Sequence, residues 1–226
     1  MSQHTDRISI QVGLSGYSFK IETADGVQSS GWMSAERVFT TSEFQKRYDK
    51  VEISVFTPKI ALVPEQFQDQ TADAVMLGGV ADLAEGDAVT SVPVPEFAAV
   101  LVYSNTIGET LSKVVSQTVL DKAGNKAVPL PEMYYMLESV LSLPDYNKIL
   151  ASYMDGTLYL VIAQGRSLLL CNAFQAPDFT TAEYFIFLAM KKLQLNPEVS
   201  TICFRTPLSE EEEMSLYRYF KNVEQI

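Results

Sequence analysis

The chain is poor in the residues that most often carry chemistry, and each shortage closes off a class of function. It has a single histidine, His4, in a polar N-terminal stretch. That excludes a histidine-dependent triad and a histidine-rich metal site, and no Cys, His, Asp and Glu spacing of a metal site occurs. Cysteine is limited to Cys171 and Cys203. Each falls inside an expected strand and reads as a buried free thiol in a reducing compartment; a disulfide would need the two strands to be neighbours. Basic residues are scarce too: 17 Lys and Arg face 28 Asp and Glu, giving a formal charge of −11 and a pI near 4.6. Neutralising a phosphate backbone takes clustered cations. Here Lys46-Arg47, Lys191-Lys192 and Arg218 with Lys221 are isolated, on the solvated faces of expected helices, so nucleic acid is excluded as a partner. A surface this acidic confers solubility and leaves a basic partner open. No window approaches the roughly 20 consecutive apolar residues of a membrane span. The opening Met-Ser-Gln-His-Thr-Asp has no apolar core of a secretory signal. The expected location is the cytoplasm.

What is present is pattern. From Lys148 to Arg205 three apolar segments, Ile149 to Met154, Thr157 to Ala163 and Ser167 to Ala173, are separated by turns at Asp155-Gly156 and Gln164-Gly165-Arg166. Asp-Gly between alternating apolar runs signals a hairpin, since both residues tolerate the positive φ of a two-residue turn. A helix follows, near Thr181 to Leu193, with Thr180 and Glu183 spaced as a capping box, and then an apolar run from Ser200 to Phe204. Tyr184 to Met190 is apolar on all sides, the mark of a helix covered on more than one flank. A last box, Ser209 and Glu212, opens a helix whose acidic run Glu210 to Glu213 suits the positive end of its dipole.

The front of the chain follows the same order. Arg7 to Val12 and Tyr17 to Glu22 alternate as strands around the turn Gly13-Leu14-Ser15-Gly16, and Ala24-Asp25-Gly26 leads into a weaker strand, Val27 to Met33. Short helices are expected from Ser34 to Val38 and, behind a Thr40 and Glu43 box, from Ser42 to Tyr48, before a strand through Val51, Ile53 and Val55. Between the copies, a helix is expected from Val63-Pro64-Glu65 to Leu77, an edge strand from Val89 to Val94 with Pro93 unable to donate, and a central strand from Phe97 to Tyr103. Helices are expected from Thr106 to Val115 and from Pro131 to Leu143. A supersecondary order that recurs in two halves suggests a duplicated unit.

A meander, a helix and a further strand, occurring twice, resembles the duplicated ribonuclease H-like architecture of the actin-like ATPase superfamily. Leu168-Leu169-Leu170-Cys171-Asn172-Ala173-Phe174, with Glu183-Tyr184-Phe185-Ile186-Phe187-Leu188, Leu193-Gln194-Leu195 and Leu62-Val63-Pro64-Glu65, is similar to a family of uncharacterised bacterial cytoplasmic proteins of that fold. The fold is related to pilus and secretion scaffold proteins. The resemblance implies an α/β chain of two ribonuclease H-like subdomains in tandem. These would be residues 1–144, with an inserted helical and strand segment, and 145–226, truncated after two helices.

The resemblance also implies where a nucleotide would sit. Actin-like ATPases grip ATP and magnesium between their halves, on hairpin turns whose N–H groups face the phosphates, with an Asp at the strand end. The first such turn here offers Gly13, Ser15 and Gly16, but Gln11 and Val12 precede it where a carboxylate is wanted. The second offers Asp155, Gly156 and Thr157, which are equally the residues of a plain hairpin turn. The glycine pair that holds adenosine is absent after Phe204, and Gly78-Gly79 lies in the other half. Two-metal nuclease chemistry needs converging carboxylates, whereas the strand positions hold Ser9, Gln11, Ser18 and Thr157, with only Glu22 and Glu52 nearby. The expectation is a non-enzymatic interaction or scaffold module with degenerate phosphate loops, no cofactor, no catalytic or metal residues and an unidentified protein partner; a homo-oligomer stays open. The alternative is an ATP-binding switch or weak ATPase using the six turn residues.

Overall fold

The computed structural model describes residues 5–14 and 16–226, with the side chains of Gln70 and Ile107 excepted. His4 and Ser15 lie outside the described residues. The chain is α/β, and its described residues form three sheets. The first is built from β1 (Arg7–Val12), β2 (Gly16–Thr23), β3 (Gly26–Ser29), the short β4 (Met33–Ser34), β5 (Lys50–Val55) and β9 (Leu130–Pro131), in the order β3-β2-β1-β5-β9 with β4 beside β2. The second is a small antiparallel sheet of β6 (Ile60–Pro64), β8 (Ala99–Tyr103) and β7 (Thr90–Val94), with β8 central. The third runs β12 (Ser167–Gln175), β11 (Thr157–Gln164), β10 (Asn147–Met154), β13 (Thr201–Phe204) and β14 (Asn222–Gln225).

The first and third sheets share one topology. In each, three strands form an antiparallel meander, the first strand of the meander pairs parallel with the fourth, and the fourth with the fifth. Parallel pairing needs a crossover long enough to return the chain to the same edge. α4 (Phe179–Lys192) supplies it between β12 and β13, and α5 (Glu210–Tyr217) between β13 and β14. The remaining helices are α1 (Asp73–Gly78), α2 (Glu109–Thr118) and α3 (Glu132–Val140).

Two compact units result, and each has its own core. One comprises the chain up to Thr57 with Gly86–Ala88 and Asn105–Glu132; the other comprises Pro58–Glu85, Val89–Ser104 and Met133–Ile226. The expected division at residue 144 follows chain order, whereas compactness groups the three-stranded sheet with the later residues. In the first unit the alternating residues Ile8, Ile10, Tyr17, Phe19 and Ile21 pack with Phe44, Val115 and Val119. In the second, Ile149, Leu158, Leu160, Ile162, Ile202 and Phe204 pack against Ile186 and Met190 of α4 and Leu216 of α5.

Several local expectations change for identifiable reasons. Ile60–Pro64 is a strand, not the approach to a long helix, because its apolar run pairs residue for residue with Tyr103–Ala99; 3-10 turns at Glu65–Phe67 and Gln70–Ala72 follow, and α1 begins only at Asp73. Ser42–Gln45 is a single 3-10 turn. The expected Thr40 and Glu43 box does not form: the Thr40 hydroxyl donates to the Arg37 carbonyl at 3.2 Å, and the residue before the turn, Thr41, has its hydroxyl 2.6 Å from Tyr17 Oη and 2.9 Å from the same carbonyl. Asp178, rather than Thr180, caps α4 by accepting from the Thr181 amide at 2.7 Å. The box at Ser209 and Glu212 forms as expected, and β14 is a strand that no alternation announced. Cys171 and Cys203 are free. β11 and β10 stand between their strands, a span of about 14 Å at the usual strand spacing, which no disulfide bridges.

Replacing Ser209 by alanine removes one half of a reciprocal cap and is expected to cost about 1 kcal/mol in urea denaturation. Asp178→Ala lowers the melting temperature, whereas Thr180→Ala leaves it unchanged.

Candidate functional site

The parallel ladder between β1 and β5 builds the most polar interior of the first unit. Its register places Arg7 beside Lys50, Ser9 beside Glu52 and Gln11 beside Ser54 on one face, and Ile8 beside Val51, Ile10 beside Ile53 and Val12 beside Val55 on the other. Strand alternation alone produces this split. Glu52 is buried, accepts from Lys50 Nζ at 2.7 Å and from Ser9 Oγ at 3.3 Å, and forms an ion pair with Arg7. Burial pushes its carboxyl upward, but hydrogen bonds and charge from Lys50 and Arg7 outweigh that, and its pKa lies below the ordinary glutamate value.

One step toward the strand ends lies a second buried carboxylate. Glu132 opens α3 directly after β9 and is fully buried. It accepts from Gln11 Nε2 at 3.1 Å and from the Ser54 hydroxyl. Gln11 Oε1 in turn accepts from Ser18 Oγ at 3.4 Å. Three elements therefore meet at one carboxylate, which Gln11 holds from 121 residues earlier in the chain. Sequence reasoning reached Gln11 and Ser18 but missed Ser54 and Glu132. The signal for Ser54 was a polar residue inside the apolar run Val51, Ile53, Val55; Glu132 looked like the usual acid in a first helical turn.

The turn residues fall as follows. The Gly13 amide donates to the Gly16 carbonyl at 3.0 Å, closing the first hairpin. Gly16 pairs with Ser34 of β4, and a Cβ there would stand 2.0 Å from the Met33 carbonyl oxygen. Close strand approach is thus sufficient reason for glycine. In the second unit Asp155 and Gly156 have φ of 50° and 69°, the left-handed pair of a tight hairpin turn. The Gly156 carbonyl accepts from the Ala176 amide at 2.8 Å, and Thr157 is buried opposite Gln175.

Other features are less specific. A shallow groove of about 490 Å³ in the second unit is lined mainly by Leu62, Pro64, Phe97, Ala98, Leu168 and Arg166. Burial pushes the Cys171 thiol up to about 12 and the Cys203 thiol up to about 11, so neither is a nucleophile near neutral pH. Among the described residues no group of three or more His, Cys, Asp or Glu is placed to hold a metal ion, and no helix is long and apolar enough to cross a membrane.

Glu132→Ala strands the Gln11 amide and the Ser54 hydroxyl in the interior and is expected to cost about 3 kcal/mol by urea denaturation. A folded pKa below the unfolded one means that Glu52 contributes stability at pH values above the ordinary glutamate range, and that this contribution is lost as pH falls through the depressed value. Thermal melts across that acid range should therefore flatten in Glu52→Gln relative to the parent chain.

Comparison with known proteins agrees with this architecture. A protein from Bacteroides thetaiotaomicron with an actin-like ATPase fold and unknown function superposes with a TM-score of 0.67 at 17% identity, over 98% of this chain and 91% of the other. A chain of a PilM-PilN type IV pilus biogenesis complex matches at 0.49 and 14% identity, over 97% and 88%, and the Aquifex aeolicus Ppx/GppA phosphatase at 0.37 and 11%, over 88% and 67%. These last two are too distant to bear on function. No curated protein matches the sequence. The first of these structures shows that the fold is an actin-like ATPase fold, and the match of residues 4–223 to the model of DUF3822, a family described as of unknown function, makes this chain a member of that family.

Proposed function

We propose that this chain is a non-enzymatic actin-like protein whose phosphate loops are degenerate and which acts in the cytoplasm as an interaction or scaffold module. The observation that carries it is the fate of the donors at the end of β1. The Gln11 amide is bound to Glu132 and the Gly13 amide to Gly16, so the groups that would face a phosphate have intramolecular acceptors. Two free thiols suit a reducing compartment. One strand order in two sheets supports the duplication of an ancestral unit. The same topology without the nucleotide-holding groups leaves a rigid scaffold with surfaces to offer.

A second reading, a nucleotide-binding switch, draws on the left-handed Asp155-Gly156 pair followed by Thr157. Isothermal titration with Mg-ATP separates the two. The first reading expects no saturable heat and no phosphate release above buffer. Micromolar binding that Asp155→Ala abolishes would establish the switch.

A further inference from the structure

The outer face of α4 is unlike that of an ordinary solvated helix. Tyr184 is 60% exposed, and Phe185, Phe187 and Leu188 are half-buried around it. Tyr184 meets Phe185 edge-on at 5.4 Å, and Phe185 stacks on Phe174 of β12 at 4.8 Å. On the opposite flank Phe187 meets Tyr219 at 4.9 Å and Phe220 at 5.8 Å, and Tyr219 is itself 51% exposed. An aromatic band thus crosses from the edge strand, over α4, to the chain just beyond α5. Contiguous apolar surface of this kind marks a docking site more often than a solvated face.

Charge around the band is divided by end. α4 and α5 run side by side in one direction: Phe179, at the head of α4, meets Phe204, at the end of β13 that leads to α5, at 6.1 Å, while Phe187 in the second half of α4 touches Phe220 beyond the tail of α5. The heads carry Asp178 and the run Glu210 to Glu213, with Arg205 before α5; the tails carry Lys191, Lys192, Arg218 and Lys221, with Glu198 beside Lys221, so the heads are net acidic and the tails net basic. Glu183, on α4, keeps a buried carboxylate oxygen with no partner among the described residues.

A surface acidic at one end, basic at the other and aromatic between is complementary to itself under a twofold axis. Laying α4 antiparallel on α4 of a second copy sets each acidic head on a basic tail twice over, opposes the two helix dipoles, and buries the aromatic bands against each other. We propose that the α4 face is a self-association surface through which two copies of this chain form an antiparallel dimer. This rests on the interaction-module reading and names one partner for it, and the measurement that decides it is a different one.

Sedimentation equilibrium on the parent chain should give a monomer–dimer transition with a micromolar dissociation constant that weakens as salt is raised. Tyr184→Glu with Leu188→Glu should raise that constant about thirtyfold or more while far-UV circular dichroism and the urea midpoint stay intact. Two charge variants complete the test: Lys191→Glu with Lys192→Glu, and Glu210→Lys with Glu211→Lys. Each alone should be monomeric, and an equimolar mixture should form the heterodimer. A parent chain that stays monomeric at millimolar concentration overturns the proposal, as does a dimer that survives Tyr184→Glu with Leu188→Glu, or a mixture that does not associate. If these fail while Mg-ATP still gives no heat, the interaction module stands with a different partner; if Mg-ATP binds, that reading fails whatever the sedimentation shows.

Discussion

The register between β1 and β5 is the constraint on which the first unit depends. Because the pairing is parallel and in step, every second residue of both strands falls on one face, and a single choice of register decides what two stacked columns of side chains must be. One column pair is apolar from Ile8 to Val55; the other climbs from Arg7 and Lys50 through Ser9 and Glu52 to Gln11 and Ser54. A slip by one residue would drive Glu52 into the apolar side and Ile53 into the polar one. The Arg7–Glu52 ion pair at the lower end, and at the upper end the contacts of Gln11 from β1 and Ser54 from β5 with the one Glu132 carboxylate, tie the two strands together in this register.

The third sheet uses the same topology without that device. Its corresponding ladder pairs Ile149 with Ile202, Leu150 with Cys203 and Ala151 with Phe204, and no carboxylate enters. Both faces of β10 and β11 are buried, and register is held by volume instead of charge. Shape-matched apolar columns exclude slip through packing, at a resolution of about one methylene. Two halves with one strand order therefore solve the same registration problem by different chemistry. Alternation therefore marks Ser9 and Gln11 as the polar face of β1 but cannot show that this face is buried under Glu132.

Local signals were legible where the cause was local. The hairpin at Asp155-Gly156, the edge character of a strand containing Pro93, the central strand through Leu101 and the Ser209 cap all follow from residues within a few positions of one another. Signals failed where a distant partner decided the outcome. Ile60 to Val63 becomes a strand because Tyr103 to Val100 lie alongside it. Gln11 was noticed as a missing acid, yet its true role could not be seen without Glu132, which no spacing rule connects to it.

That role bears directly on what the fold can do. An actin-like enzyme needs donors at its strand ends that are short of acceptors until a phosphate arrives, since a donor already satisfied must first be released. Freeing a buried hydrogen-bonded group costs about 1–3 kcal/mol each. Here the Gly13 amide, the Gln11 amide and the Ser54 hydroxyl are all bound within the chain, and the last two hold a carboxylate that would itself be left buried without them. On the proposed reading, a triphosphate would have to displace this arrangement and then lie near Glu132. The residues that fix the register of the first sheet are thus the same ones whose donors the proposed reading takes to be closed to a nucleotide.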